Sequence, residues 1–263
     1  MATDITDNDR MNLFLTSITD FKIHDKPFEI KERIKIFGIA SEIFEEALVP
    51  FIPKILSGFT KIIKEDHDGK YQTAISDTVG LMVQNIIDDV EDAEQQKNIF
   101  ETNFLKFEFN LAEKSQNKNL ISTAFQCLTK SVINCPEHVL HDSLKVITDK
   151  LITLLKLKSF PCKQQLLECL ISIIFHIGHE FSGYYSKFIN LLIDQVKGNN
   201  DPKSVATKRV AIDAVYSIGA HCQDKIGEHR DQIIKLLDEC RSNKNKPVRD
   251  AALETLKLLK EIH

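Results

Sequence analysis

His138 and His141, and again His176 and His179, stand three residues apart, a spacing that can place two imidazoles on one helical face and is compatible with metal ligation. Carboxylates also come in pairs, Glu45–Glu46 and Asp88–Asp89. Paired carboxylates serve general acid–base chemistry when their surroundings pull their pKa values apart. Six cysteines, Cys127, Cys135, Cys162, Cys169, Cys222 and Cys240, complete the reactive set. The histidine pairs fall near the ends of successive helical units, in corresponding places, and read as turn residues along an edge. The carboxylate pairs fall at predicted helix ends, where solvated charges are the ordinary occupants. The cysteines show no CxxC spacing, so they read as buried reduced thiols rather than as zinc ligands or a disulfide framework. No GxxxxGK[ST], GxGxxG or GxSxG pattern occurs in the sequence. The expectation is a protein that is not an enzyme, with no catalytic residue, no metal ligand and no cofactor.

A different chemistry is better represented. Lysine and arginine crowd short polar stretches that run straight into apolar helical patterns, as in RSNKNKPVR at 241–249. What such charges can do depends on the elements that carry them. Glycine and proline are sparse (9 and 7), and helical periodicity runs from about residue 10 onward, so the chain is all-α. In NKNKPVRDAALETLKLLKEI (243–262), Pro247 marks a helix start because its missing N–H has no intrahelical partner there. Val248, Ala251, Ala252, Thr255, Leu259 and Ile262 then form one apolar face that needs a neighbour.

The helices repeat. PVRDAALETLKLL (247–259) aligns with PCKQQLLECLISI (161–173), and TKRVAIDAVYSI (207–218) shares their basic, acidic and apolar columns. The acidic column runs Asp77, Gln126 as a weaker member, Glu168, Asp213 and Glu254, at spacings of 49, 42, 45 and 41 residues. Periods of about 40–47 belong to HEAT or armadillo units. An apolar helix precedes each of these helices (49–63, 98–112, 143–157, 184–196 and 228–240), and two helices per unit indicate HEAT. A further pair, about 10–20 and 28–47, caps the stack, since a repeat cannot bury its face alone. The fold class expected is an all-α HEAT-repeat α-solenoid of about six helix pairs. It is read as one domain, 1–263, with capping helices at 1–47 and repeats at 48–87, 98–135, 138–180, 181–222 and 225–263.

The five connections between first and second helices are KEDHDGK (64–70), KSQNKN (114–119), KLKSFPCK (156–163), KGNNDPKSVATKR (197–209) and RSNKNKPVR. Their formal charges are −1, +2, +3, +3 and +4, together +11, on a chain whose net charge is −4. Such connections share one edge of a solenoid, so a basic ridge is expected that strengthens toward the C-terminus. A single-sign ridge steers toward an acidic partner: tubulin, nucleic acid, anionic lipid or an acidic peptide. The opposite edge carries acidic turns such as DDVEDAEQQK (88–97).

Composition narrows the classes. Hydrophobic content of 43% with 27% charged residues suits a globular chain. The longest apolar runs, such as LISIIF at 170–175, are too short to span a bilayer, so no membrane partner is expected. The start, MATDITDNDR, lacks the basic-then-apolar pattern of a signal peptide, which places the protein inside the cell. Nucleic-acid-binding domains are basic overall, which ranks that partner below the others.

CRSNKNKPVRDAALETLKLLKEI (240–262), preceded by KRVAIDAVYSIGA (208–220), resembles the N-terminal HEAT domain of the Tortifolia/Spiral family of plant microtubule-associated proteins, relatives of the TOG tubulin-binding domains. LVPFIPKILSGFTKIIKE (48–65) is similar to the family's early repeats. The resemblance implies binding of tubulin or the microtubule lattice through the intra-repeat connections. The family motif falls on Lys246, Pro247, Val248 and Arg249, of which Lys246 and Arg249 would meet a partner. The first connection is acidic and the chain has no tryptophan, whereas TOG domains tend to place an aromatic there. Lattice decoration, or a fixed place in a cytoskeletal assembly such as the axoneme of a cilium, is therefore expected rather than capture of curved tubulin. In the HEAT-like deoxyhypusine hydroxylases His–Glu pairs build di-iron sites, but here His179–Glu180 stands alone.

Two readings follow. In the first, Lys156, Lys158, Lys163, Lys203, Lys208, Arg209, Arg241, Lys244, Lys246 and Arg249 meet acidic tubulin or another cytoskeletal protein. In the second, the chain is a general HEAT scaffold that grips a protein partner on the inner face formed by second helices such as 163–177, 208–220 and 248–262.

Overall fold

The computed structural model describes residues 7–19, 26–198, 202–223 and 226–261, and among these every regular element is helical. They group into two compact units, Met1–Leu140 and His141–His263.

The first unit contains α1 (Asp7–Thr19), α2 (Pro27–Phe44), a 3₁₀ turn (Glu45–Phe51), α3 (Ile52–Glu65) and α4 (Gln72–Asp89). There follows one interrupted helical stretch made of α5 (Ala93–Ile99), a π-helical turn (Phe100–Leu105) and α6 (Lys106–Lys114), and then α7 (Lys118–Asn134). α2 packs on α4 and α4 on α7, so the second helices of three pairs lie side by side, while α3 and α6 pack against α7. Apolar spacing dictates this: Ile75, Val79, Met82, Val83 and Ile86 of α4 are all fully buried, each removing enough apolar surface to contribute about 1.5–3 kcal/mol. α2 stops three residues before the expected end because Glu45 turns to a positive φ of 48° and its N–H bonds back to Ser41.

The π turn was not legible as a pattern. Within it the N–H of Lys106 reaches the carbonyl of Glu101, while Thr102 Oγ1 donates to Asn98 O at 2.7 Å and Asn103 Nδ2 to Ile99 O at 3.2 Å. Short polar side chains thus take carbonyls from the regular ladder.

The connection after α3 is a built turn. Asp66, 5% exposed, accepts the N–H groups of Lys70 and Tyr71 at 2.9 and 2.8 Å. Asn119, at the start of α7, donates to the carbonyls of Asp66 and His67.

In the second unit α8 (Glu137–Lys156, whose first residues belong to the first unit) precedes α9 (Lys163–Ile177), a 3₁₀ turn (Gly178–Gly183), α10 (Tyr185–Lys197), α11 (Pro202–His221), α12 (Gly227–Cys240) and α13 (Lys246–Glu261). α11 lies between α9 and α13; α10 packs on α11 and α12, and α12 on α13. This is the HEAT arrangement of paired helices, six pairs in all among the described residues, three to a unit. The face read from α13 is buried at Val248, Ala251, Ala252, Thr255 and Leu259, and Ile262 lies outside the described residues. Gly219 permits the α11–α13 approach, since a Cβ there would stand 3.3 Å from side-chain carbons of Leu258 and Leu259. All six cysteines are buried.

Lys163–Gly183 is long and apolar enough, by length and composition, to cross a bilayer, contrary to the reading of its short apolar runs. Its Leu166, Leu167, Leu170, Ile173, Ile174 and Ile177 are buried within the protein, as in a core helix.

α11 begins at Pro202, well before the expected 208. Proline is suited to a helix start, and the stretch expected as a long loop is half helix. Lys203, Lys208 and Arg209 therefore ride on α11 rather than in a connection.

Candidate partner-binding edge

Each second helix of the second unit is entered by a short connection from the helix before it: 157–162 into α9, 198–201 into α11 and 241–245 into α13. The helix starts have identifiable neighbours. Lys163, first in α9, donates from Nζ to Gln195 Oε1 near the end of α10 at 3.3 Å. Lys208, in the second turn of α11, lies close enough to Cys240, the last residue of α12, to favour its thiolate against the burial that pushes this thiol up. The start of a second helix thus sits beside the end of the next first helix.

The ten basic residues read from the sequence meet different fates. Lys156, Lys158, Lys244 and Lys246 are exposed, and none of them enters an ion pair among the described residues. Arg209 and Arg241 are exposed but paired nearby, Arg209 Nε at 3.2 Å from Asp213 on the same helix and Arg241, just past the end of α12, at 3.3 Å from Asp238. Exposed pairs of this kind are worth at most about 1 kcal/mol and can exchange for a partner. Lys163 is half-buried, and that burial holds its ammonium below the ordinary lysine value.

Two expectations need correction. Lys208 is only 5% exposed, so it is not available to a partner; its place in the pattern put it on the packed side of α11. Arg249 is half-buried, and its guanidinium donates to the carbonyls of Asn243 and Lys244 at 2.7 and 3.0 Å. It closes the 241–245 turn, which also relies on Asn243 Oδ1 accepting the N–H of Asn245 at 2.9 Å. The side chain of Lys203 lies outside the described residues.

The second-helix layer offers another surface. Glu168 and Glu254 are exposed and Asp213 half-buried; burial raises the Asp213 carboxyl, Arg209 lowers it and Glu254 raises it again. The acidic column is therefore a physical neighbourhood across α11 and α13. On the same helices, Phe175 of α9 is 75% and Leu253 of α13 48% exposed, with the Phe175 ring edge-on to His221 at 5.6 Å. No periodicity signals these exposed apolar residues. In the first unit the corresponding Asp77 is bridged by Lys130 across α4 and α7 at 2.8 Å.

The other chemistry-bearing pairs are spread out. His138 hydrogen-bonds Gln96 at 2.6 Å, while His141 lies near Asp142 and Glu180. Among the described residues no group of three or more histidine, cysteine, aspartate or glutamate side chains is arranged to hold a metal ion. Glu45, Asp88 and Asp89 do meet, with Glu42 and Asn85, around a pocket of about 290 Å³, and Asp89 accepts the N–H of Glu46 at 3.1 Å. That meeting of residues more than 40 apart could not be read from either pair.

The chain is similar to known proteins. The TORTIFOLIA1 N-terminal family matches residues 1–261. Microtubule-associated protein TORTIFOLIA1 of Arabidopsis thaliana is 24% identical over 95% of this chain and 28% of its own length. TORTIFOLIA1-like protein 2 of the same plant is 27% identical over 97% of this chain and 30% of its own. The chain thus spans less than a third of these relatives. Among solved structures, Kap121p superposes with a TM-score of 0.62 at 17% identity, over 96% of this chain and 23% of that one, a likeness of fold. Match and architecture together place the chain: it belongs to the TORTIFOLIA1 N-terminal family.

Proposed function

We propose that this chain is a non-enzymatic microtubule-binding HEAT module that meets an acidic tubulin surface with the lysines around the starts of its second helices. The observation that carries this reading is the exposure of Lys156, Lys158, Lys244 and Lys246 without ion pairs among the described residues, in a chain whose net charge is −4. A relative named as a microtubule-associated protein supports the same partner. Its place is the cytoskeleton, on the lattice or within a fixed assembly such as a ciliary axoneme.

The test is co-sedimentation with stabilised microtubules across a salt series, using wild type and a variant carrying Lys156→Glu, Lys158→Glu, Arg241→Glu, Lys244→Glu and Lys246→Glu. Arg249 and Lys208 are left in place because the fold uses them. Wild type should pellet at low salt and release as screening shortens the reach of its charges, and the folded variant should stay in solution. A variant that pellets like wild type refutes the reading. The scaffold alternative, a protein partner held on the second-helix surface, rests on exposed Phe175 and Leu253. It predicts that Phe175→Ser abolishes partner capture while the five reversals spare it.

A further inference from the structure

The first unit carries a second cationic feature, on the side of its first helices. A groove of about 470 Å³ runs between α3 and the π-interrupted stretch that ends in α6, within the ~300–1,000 Å³ range of ligand clefts. Lys61 and Lys64 of α3 and Lys106 of α6 line it, and no carboxylate among the described residues does. All three lysines are exposed, and none is in an ion pair among the described residues. Leu56, Phe107 and Asn110 lie with them in the lining.

The π turn helps build this groove. One extra residue in a helical turn rotates everything after it by about 100° relative to an uninterrupted helix. Thr102 and Asn103 of the turn itself line the groove, and Lys106, Phe107 and Asn110, which follow directly on it, continue that wall.

The lining of α3 runs from Pro53 to Lys64, which at 1.5 Å per residue is roughly 16 Å. An extended strand advances about 3.3 Å per residue, so the groove accommodates about five residues. Its two ends differ in chemistry: the α3 lining is apolar at Pro53 and Leu56 and cationic at Lys61 and Lys64. We propose that this groove binds an extended acidic peptide segment, its carboxylates on Lys61, Lys64 and Lys106 and an apolar side chain toward Pro53 and Leu56. The lining uses none of the second-unit lysines, and the proposal does not depend on the microtubule reading.

The experiment is fluorescence anisotropy with fluorescein-labelled peptides Phe-Glu-Glu-Glu-Glu and Glu-Glu-Glu-Glu-Phe, titrated with the full chain at low and moderate salt. Three folded variants, checked by circular dichroism, accompany wild type. K61E/K64E/K106E should weaken the better peptide at least about tenfold. Ser57→Trp, a neutral substitution on the exposed groove wall, should weaken it comparably by filling the space. K31E/K35E, reversals at exposed lysines of α2 that are not part of the groove lining, should leave affinity within about threefold. The proposal is overturned if neither peptide binds, if Ser57→Trp binds as wild type does, or if K31E/K35E loses as much as the groove variant. It is also overturned if an oligothymidylate displaces the peptide and binds more tightly with the same lysine dependence, because the occupant would then be a nucleic acid.

Discussion

Replacing Glu108 by glutamine is expected to stabilise the protein at neutral pH and to remove a large part of its pH dependence. Glu108 lies on α6, 1% exposed. Its Oε1 accepts a hydrogen bond from Ser131 of α7 at 2.6 Å, and its Oε2 has no hydrogen-bond partner among the described residues. Burial pushes the carboxyl up from its ordinary 4.5 to about 8, against the smaller opposing effect of the Ser131 hydrogen bond. Between those two values the folded protein holds a proton that the unfolded chain has released. Stability therefore falls as pH rises, by about 1.4 kcal/mol for each unit. From about pH 5 to pH 7 the loss is about 3 kcal/mol, and it ends above the folded value, where both states are ionised. Glutamine keeps an acceptor for Ser131 without a proton to lose. Urea denaturation of wild type and Glu108→Gln across this range measures the difference directly, and other titrating groups cancel in the comparison. The variant should be level with wild type near pH 5 and ahead of it by a few kcal/mol at pH 7. If the gap between them does not change with pH, Glu108 is not held protonated by the fold and the reasoning fails.

Other substitutions test the turns. Arg249→Ala removes two charge-assisted hydrogen bonds to the carbonyls of Asn243 and Lys244 and should cost about 1.5–3 kcal/mol in thermal or chemical denaturation. Arg249→Lys should recover part of the loss, because both bonds come from the single atom Nη1 and an ammonium also carries several donors on one nitrogen. Asp66→Ala leaves the N–H groups of Lys70 and Tyr71 without their acceptor. It should cost about 1–3 kcal/mol and speed amide exchange at those two residues. Unchanged exchange there would show that the turn holds itself.

Local chemistry determined most of the architecture. A 3.6-residue period is a property of a single segment, so the faces of α4 and α13 and the start near Pro247 were legible without any neighbour. The repeat was legible for the same reason: each pair solves the same packing problem, and the acidic column at 41–49-residue spacing reappears as Asp213 beside Glu254. The basic residues were countable, but what they do was not. Whether Lys208 faces solvent depends on what packs over α11 near Cys240. Whether Arg249 faces a partner depends on two carbonyls of a turn whose shape no composition specifies. The groove between α3 and α6, and the pocket where Glu45 meets Asp88 and Asp89, join residues some 40 or more positions apart. Sequence alone determined which residues are apolar and how they recur along a helix. Only the tertiary structure decided which charges remain in water, because burial depends on the atoms that neighbouring helices bring to the same place.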